Sequence, residues 1–197
     1  KTYLNEIYVG NKRMVDLVNS LLDVSRIETE NFRIDPVPTD VVALAKDVVK
    51  EQEPNVFKRH QALLEDYATD LTAINLDPKL GRMVIQSLVS NAIKYTPDEG
   101  KITLRIYKTS SKFRIEVEYT GFGIPKKQQH LMFKKLFRAD NVMRLDTEGS
   151  GLGLYIIKSI IEQSGGKLTC ESVENKGTTF IVDLPAAGMK AKAGTKA

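Results

Sequence analysis

The sequence predicts an α+β sandwich, with helices packed on one face of a sheet and one long helix in front. Three patterns predict it: apolar residues at three-and-four spacing, paired stretches of strict alternation, and no repeating strand–helix unit. The chain has 197 residues, 42% of them apolar, which suffices for one sizeable core plus an appendage.

The apolar residues Leu4, Ile7, Met14, Leu17, Val18, Leu21, Leu22 and Ile27 share one side of a first helix. About 28 residues make a rod of roughly 40 Å. Such a rod does not bury its stripe alone. It packs on its own domain or pairs with another chain, and the seam from Met14 to Leu21 favours a bundle. Pro36 and Pro38 interrupt helix, so a domain boundary is placed there, with residues 1–31 as the helix, 32–36 as linker and 37–185 as the main domain.

Asp40 caps a second helix, whose apolar face (Val41, Val42, Leu44, Ala45, Val48, Val49) is expected to end near Gln52, before Pro54. Ala62 to Tyr67 and Leu71 to Leu76 read as short extended stretches. Asp77 and Pro78 open a third helix that buries Leu80, Val84, Ile85, Leu88, Val89, Ala92 and Ile93. Ile102, Leu104 and Ile106 alternate on one strand, and Phe113, Ile115, Val117 and Tyr119 on its hairpin partner. A loop from Lys134 to Ser150 precedes a helix from Leu152 to Ser164, stopped by Gly165-Gly166. Strands Lys167 to Val173 and Thr178 to Leu184 follow. Residues 186–197 are small, basic and unpatterned, and are expected to form a disordered tail.

The balance of 29 Lys+Arg against 25 Asp+Glu gives a net charge of +4, much of it in Lys190, Lys192 and Lys196. No nucleic-acid surface is expected from the remainder. The lone Cys170 forms no internal disulfide; it reads as a half-buried strand thiol in a reducing, cytoplasmic compartment. No apolar run reaches the roughly 18 residues of a membrane span, and the polar start at Lys1 does not read as a signal peptide. A soluble piece of a longer parent, without membrane contact of its own, is the expectation.

Two glycine clusters carry chemistry: Gly121-Phe122-Gly123-Ile124-Pro125 and Gly149-Ser150-Gly151-Leu152-Gly153-Leu154. Either alone marks a turn. The second stands just before a helix, where glycines let backbone amides turn toward an anion at the helix's positive end. Asn91 adds a hard, neutral amide oxygen of the kind Mg²⁺ accepts beside phosphate oxygens and water. Lys94, one turn on, is placed to meet phosphate charge. The plainer alternatives are a core-edge amide and a solvated lysine.

In that order the motifs resemble those of sensor histidine kinases. Asn91-Ala92-Ile93-Lys94-Tyr95-Thr96-Pro97 resembles the N box, Thr120 to Pro125 the G1 box, Phe133 to Arg138 the F box and Gly149 to Leu154 the G2 box. Gly177-Thr178-Thr179-Phe180 resembles the late glycine-threonine element. The helix around Leu17 to Arg26 resembles the second helix of the family's dimerisation and phosphotransfer hairpin. The resemblance implies a Bergerat-type sandwich, as in gyrase and heat-shock chaperone ATPases, with ATP and Mg²⁺ as cofactors. By it, Asn91 holds the metal, while Lys94 and Arg138 meet the phosphates. Tyr95 and Ile124 flank the adenine, with Tyr119, Gly121 and Gly123 in the G1 turn. Gly149, Gly151, Leu152, Gly153 and Leu154 cradle the phosphate chain under a nucleotide-ordered lid from about Phe133 to Gly149, and Thr178 lies near the adenine edge. The implied partners are a second copy of the chain through the first helix and the receiver domain of a response regulator.

Three departures qualify that reading. Tyr119 stands where the family carries an aspartate that reads the adenine amine. Ser87 stands where the family has an asparagine, and where water-splitting relatives place a glutamate. Neither His60 nor His130 has the context of a phosphoacceptor. The expected function is therefore transfer of the ATP γ-phosphoryl to a histidine outside this chain, for relay to a receiver aspartate. The alternative is a degenerate module with weak or no ATP binding, in which Tyr119 fills the base pocket.

Overall fold

The computed structural model describes residues 2–28, 32–143 and 149–194. Its long first helix, α1, spans Thr2–Glu28. Only the last turns of α1 are seated, with Val24 and Ile27 buried, whereas Ile7, Met14, Leu17, Val18, Leu21 and Leu22 stay exposed. A short strand β1 (Val37–Thr39) leads to helix α2 (Val41–Lys58), whose first turn is capped by the Asp40 carboxylate accepting from the Ala43 N–H at 3.0 Å. The expected stop before Pro54 is corrected: the helix continues two turns of side chains further, to Lys58. Proline removes one helical N–H, but Pro54 and Lys50, whose carbonyl loses that bond, both lie on the exposed face where water replaces it.

Strands β2 (Ala62–Tyr67) and β3 (Ile74–Leu76) precede helix α3 (Pro78–Tyr95). Asp77 accepts from the N–H groups of Lys79 and Leu80 at 3.1 and 3.2 Å, and Pro78 stands in the first turn, as the sequence predicts. The hairpin β4 (Lys101–Lys108) and β5 (Lys112–Thr120), a 3-10 turn (Lys126–Leu131), helices α4 (Asp140–Met143) and α5 (Gly153–Gln163), and strands β6 (Lys167–Val173) and β7 (Gly177–Pro185) complete the chain. The loop expected over Lys134 to Ser150 thus contains the short α4; its residues 144–148 lie outside the described residues.

The main sheet runs β2-β4-β5-β7-β6, with β2 parallel to β4 and the other neighbours antiparallel. Register places Ile102 beside Tyr119 and Tyr119 beside Thr178, while Val117 faces Phe180. These residues and their alternates point toward α3 and α5, whose Ile85, Leu88, Ile157 and Ile160 are fully buried. The opposite face is polar: Arg114 donates to Asp183 at 2.6 and 2.9 Å, and Arg105 to Glu118 at 2.7 Å. Strand β3 does not join this sheet. It pairs with β1, so the expected Leu71 to Leu76 stretch narrows to three residues.

The expectation of a disordered tail from Ala186 is corrected over residues 186–192. The Met189 N–H donates to the Asn75 carbonyl at 2.8 Å and its side chain is buried. Lys192 and Ile34 exchange two backbone hydrogen bonds at 2.9 and 3.1 Å, and the Lys192 ammonium donates to Gln163. Ile34 itself is 0% exposed, so the segment named as linker is held against the domain by its own tail. Backbone pairing of this kind leaves no periodic signature in so short a stretch. Replacing Met189 by alanine is expected to cost about 2–5 kcal/mol, the ordinary range for truncating a buried methionine. Urea denaturation reads this loss, and an unchanged midpoint would contradict the seated tail.

Candidate functional site

The last two turns of α3 form one wall of a cleft, presenting Ser87, Asn91, Lys94 and Tyr95. Facing them are the segment Met132 to Ala139 and the glycine turn before α5. Two adjoining cavities share Asn91, Tyr95, Met132, Phe137, Arg138 and Leu154. One, of about 190 Å³, is rimmed by Ser87, Ser90, Lys94, Gly149, Ser150, Gly151 and Gly153. The other, of about 60 Å³, lies deeper, between Tyr119, Ile124, Val142 and Phe180. The first is polar and bears cations; the second is mostly apolar. No carboxylate lines either among the described residues.

Local sequence explains the glycine turn. Gly151 has φ +69°, and a Cβ there would stand 2.7 Å from the Leu136 carbonyl carbon, so chain crowding and backbone sign both demand glycine. Leu152, at the N-cap of α5, gives no side-chain acceptor to the first turn. Gly153 and Leu154, in the first turn of α5 where amides lack intrahelical partners, line the polar cavity. Lys94 lies over the Tyr95 ring at 5.1 Å and packs against Gly149, where a Cβ would meet its ammonium at 2.5 Å. Behind the cleft, Glu28 at the end of α1 accepts from Lys135 and, at 3.3 Å, from the Tyr155 hydroxyl, tying the segment to the first helix.

The other glycine turn is fixed by three residues that the sequence did not single out. Asn141 donates to the carbonyls of Phe122 and Gly123 at 3.1 and 3.0 Å. Gln129 donates to Ile124 and Ser172 carbonyls at 3.0 and 2.8 Å, and the Ser172 hydroxyl accepts the Ile124 N–H at 2.8 Å. Gly123, at φ +58°, approaches the Val173 carbonyl so closely that a Cβ would fall 2.0 Å from it. Gln129 stands close to the motif in sequence; Asn141 and Ser172 come from distant segments and carry no local signal.

Tyr119 occupies the deep end. It is 4% exposed, its ring centroid lies 6.4 Å from that of Phe180, and Thr178 is its register neighbour on β7. Thr178 in turn meets the Ser172 hydroxyl at 2.8 Å. Burial raises the Tyr119 phenol above its ordinary pKa, partly offset by the neighbouring Thr178 hydroxyl.

Of the residues named from the sequence, the cleft brings together Asn91, Lys94, Tyr95, Tyr119, Gly123, Ile124, Arg138, Gly149, Gly151, Gly153 and Leu154. Three lie elsewhere. Gly121 is pressed on the Tyr95 carbonyl, where a Cβ would stand 2.2 Å away. Leu152 is buried toward α1, beside Leu21 and Val24. Thr178 is buried beside Tyr119 on the neighbouring strand β7. Both histidines are exposed, His60 in the turn after α2 and His130 on the 3-10 turn. The described residues include no cluster of three His, Cys, Asp or Glu suited to a metal, and no helix among them is long and apolar enough to cross a membrane.

A helix-covered sheet with a glycine-rimmed cleft beside α3 defines an ATPase-type α/β sandwich, the Bergerat-type fold expected from the resemblance. Residues 76–188, more than half of the chain, match the model of the histidine kinase-, DNA gyrase B-, and HSP90-like ATPases, and the chain belongs to that family. Its relatives are sensor histidine kinases. Adaptive-response sensory kinase SasA of Synechococcus sp. (strain JA-3-3Ab) is 33% identical over 175 residues, covering 88% of this chain and 46% of that protein. Circadian input-output histidine kinase CikA of Synechococcus elongatus is 30% identical over 187 residues, covering 94% and 25%. The solved complex of histidine kinase ThkA with response regulator protein TrrA has a TM-score of 0.75 at 25% identity, covering 94% of this chain and 51% of that one. The chain thus spans about a quarter to a half of the length of these curated relatives.

Strand β6, beside the site, has a pH signature. Burial, aided by Glu171, pushes the Cys170 thiol up to about 12 from 9.0. A proton held more tightly in the folded state gives stability that is complete below the unfolded pKa and is lost as pH rises through the folded one. Between about pH 8 and about pH 10 the thiol alone should cost about 1.4 kcal/mol of stability. Urea melts at the two pH values check this. Cys170→Ala should flatten the fall, and an identical fall in that variant would contradict the account.

Proposed function

We propose that the chain is the nucleotide-binding core of a protein-histidine kinase, which binds Mg-ATP and transfers the γ-phosphoryl to a histidine outside residues 1–197, for relay to a receiver aspartate. The observation that carries this is Asn91 at the junction of the two cavities, opposite the glycine turn of α5. The polar cavity fits a magnesium-bound polyphosphate. The Asn91 amide oxygen offers the metal a hard neutral ligand, with phosphate oxygens and water for the rest. Lys94 and Arg138 supply positive charge, the Gly149, Gly151 and Gly153 amides supply donors, and Tyr95, which lines both cavities, borders the base. The metal, when bound, neutralises phosphate charge during transfer. The chain adds position and charge rather than a general base, consistent with Ser87 where a hydrolase needs a carboxylate.

The exposed apolar stripe of α1 supports a homodimer through residues 1–31, and the solved ThkA–TrrA complex supports a receiver domain as partner. A cytoplasmic place suits a domain that takes ATP. A second reading, a docking module without turnover, is favoured by one observation, the buried ring of Tyr119 at the base end.

Calorimetric titration with Mg-ATP separates the two. The kinase reading expects saturable binding that weakens at least about tenfold, or ~1.4 kcal/mol, on chelating the magnesium or on Asn91→Ala. No heat at millimolar nucleotide leaves the docking module.

A further inference from the structure

The two ends of the cleft are built unequally. The polar end offers about 190 Å³ and the apolar end about 60 Å³. One water takes roughly 10–15 Å³ by this measure, so the deep end as it stands has room for a few waters. The phenol ring of Tyr119 stands in the wall of that end. Across the sheet it has Ile102 and Thr178 as register neighbours, and the Phe180 ring lies at 6.4 Å. Its neighbour Thr178 meets the Ser172 hydroxyl at 2.8 Å, and Ser172 also holds the Ile124 backbone.

Chemistry adds to size. A carboxylate only accepts hydrogen bonds, so it favours a base edge bearing an amine over one bearing a carbonyl. A hydroxyl both donates and accepts, and so does not tell them apart. A site discriminates strongly between such analogues only when it holds a buried group that one of them leaves unpaired. Among the residues lining the deep end, none is an acceptor-only carboxylate.

We infer that this site selects its ligand by the magnesium-bound polyphosphate chain and is blind to the base, with Tyr119 as the residue that removes base specificity. The inference rests on the nucleotide-site reading above and concerns what that site recognises. Mg-ATP, Mg-GTP and inorganic Mg-tripolyphosphate should bind with dissociation constants within about threefold of one another, under ~0.7 kcal/mol apart.

Calorimetry on the full chain with those three ligands, at one ionic strength, tests it. Near-equal affinities support base-blindness. A preference of tenfold or more for ATP over GTP or tripolyphosphate overturns it while leaving the nucleotide site intact. If none of the three binds, the underlying reading falls, and this inference with it. Tyr119→Asp adds a second arm: in the folded variant ATP should gain at least tenfold over GTP, and continued equality would overturn the assignment to Tyr119. The wild-type comparison decides even where that variant does not fold, since it needs no substitution.

Discussion

The backbone of Gly121 and Phe122 lies directly on the last turn of α3, and the geometry of the cleft depends on that contact. The Phe122 N–H reaches the Tyr95 carbonyl at 3.4 Å, and Gly121 passes so near it that any side chain would collide. This contact joins the end of β5 to the helix that carries Asn91, Lys94 and Tyr95. Asn141, Gln129 and Ser172 then hold the following residues by their carbonyls and amides. A backbone held by hydrogen bonds from several elements keeps its shape whether or not a ligand is present, the condition for binding by preorganised dipoles.

Tyr119 is the point where the same architecture turns against its expected ligand. On β5 it continues the inward series of Phe113, Ile115 and Val117, and the sheet register sets it beside Thr178. A large ring there completes the core as naturally as it fills the deep end of the cleft. The polar cavity is built from the other wall, where Lys94, Arg138 and the glycine turn meet. On the proposed reading, core packing and base recognition compete for a single side chain, whereas polyphosphate recognition is separable from both.

Much of the fold was legible because its signals are local. Asp77 with Pro78 announces α3, alternation announces the β4–β5 hairpin, and Gly165-Gly166 ends α5. What escaped depends on partners far away in sequence. Pro54 stays within α2 because its lost bond faces water, which the sequence alone does not reveal. Met189 and Lys192 are ordered by Asn75 and Ile34, more than a hundred residues earlier. At the site, the motifs located most of the lining residues, since close approach and positive φ select glycine strongly. Gly121, Leu152 and Thr178 do not line the two cavities, and the roles of Asn141 and Ser172 exist only once the chain has folded.

A crystal structure with Mg²⁺ and a nonhydrolysable ATP analogue tests the central claim most directly, because it shows which end of the cleft holds the ligand. The account predicts a triphosphate between Asn91 and the Gly149–Gly153 turn, the Tyr119 ring unmoved against Phe180, and the purine outside the deep cavity. A purine seated at Thr178 with the phenol swung aside, or phosphates bound away from Asn91, would contradict it.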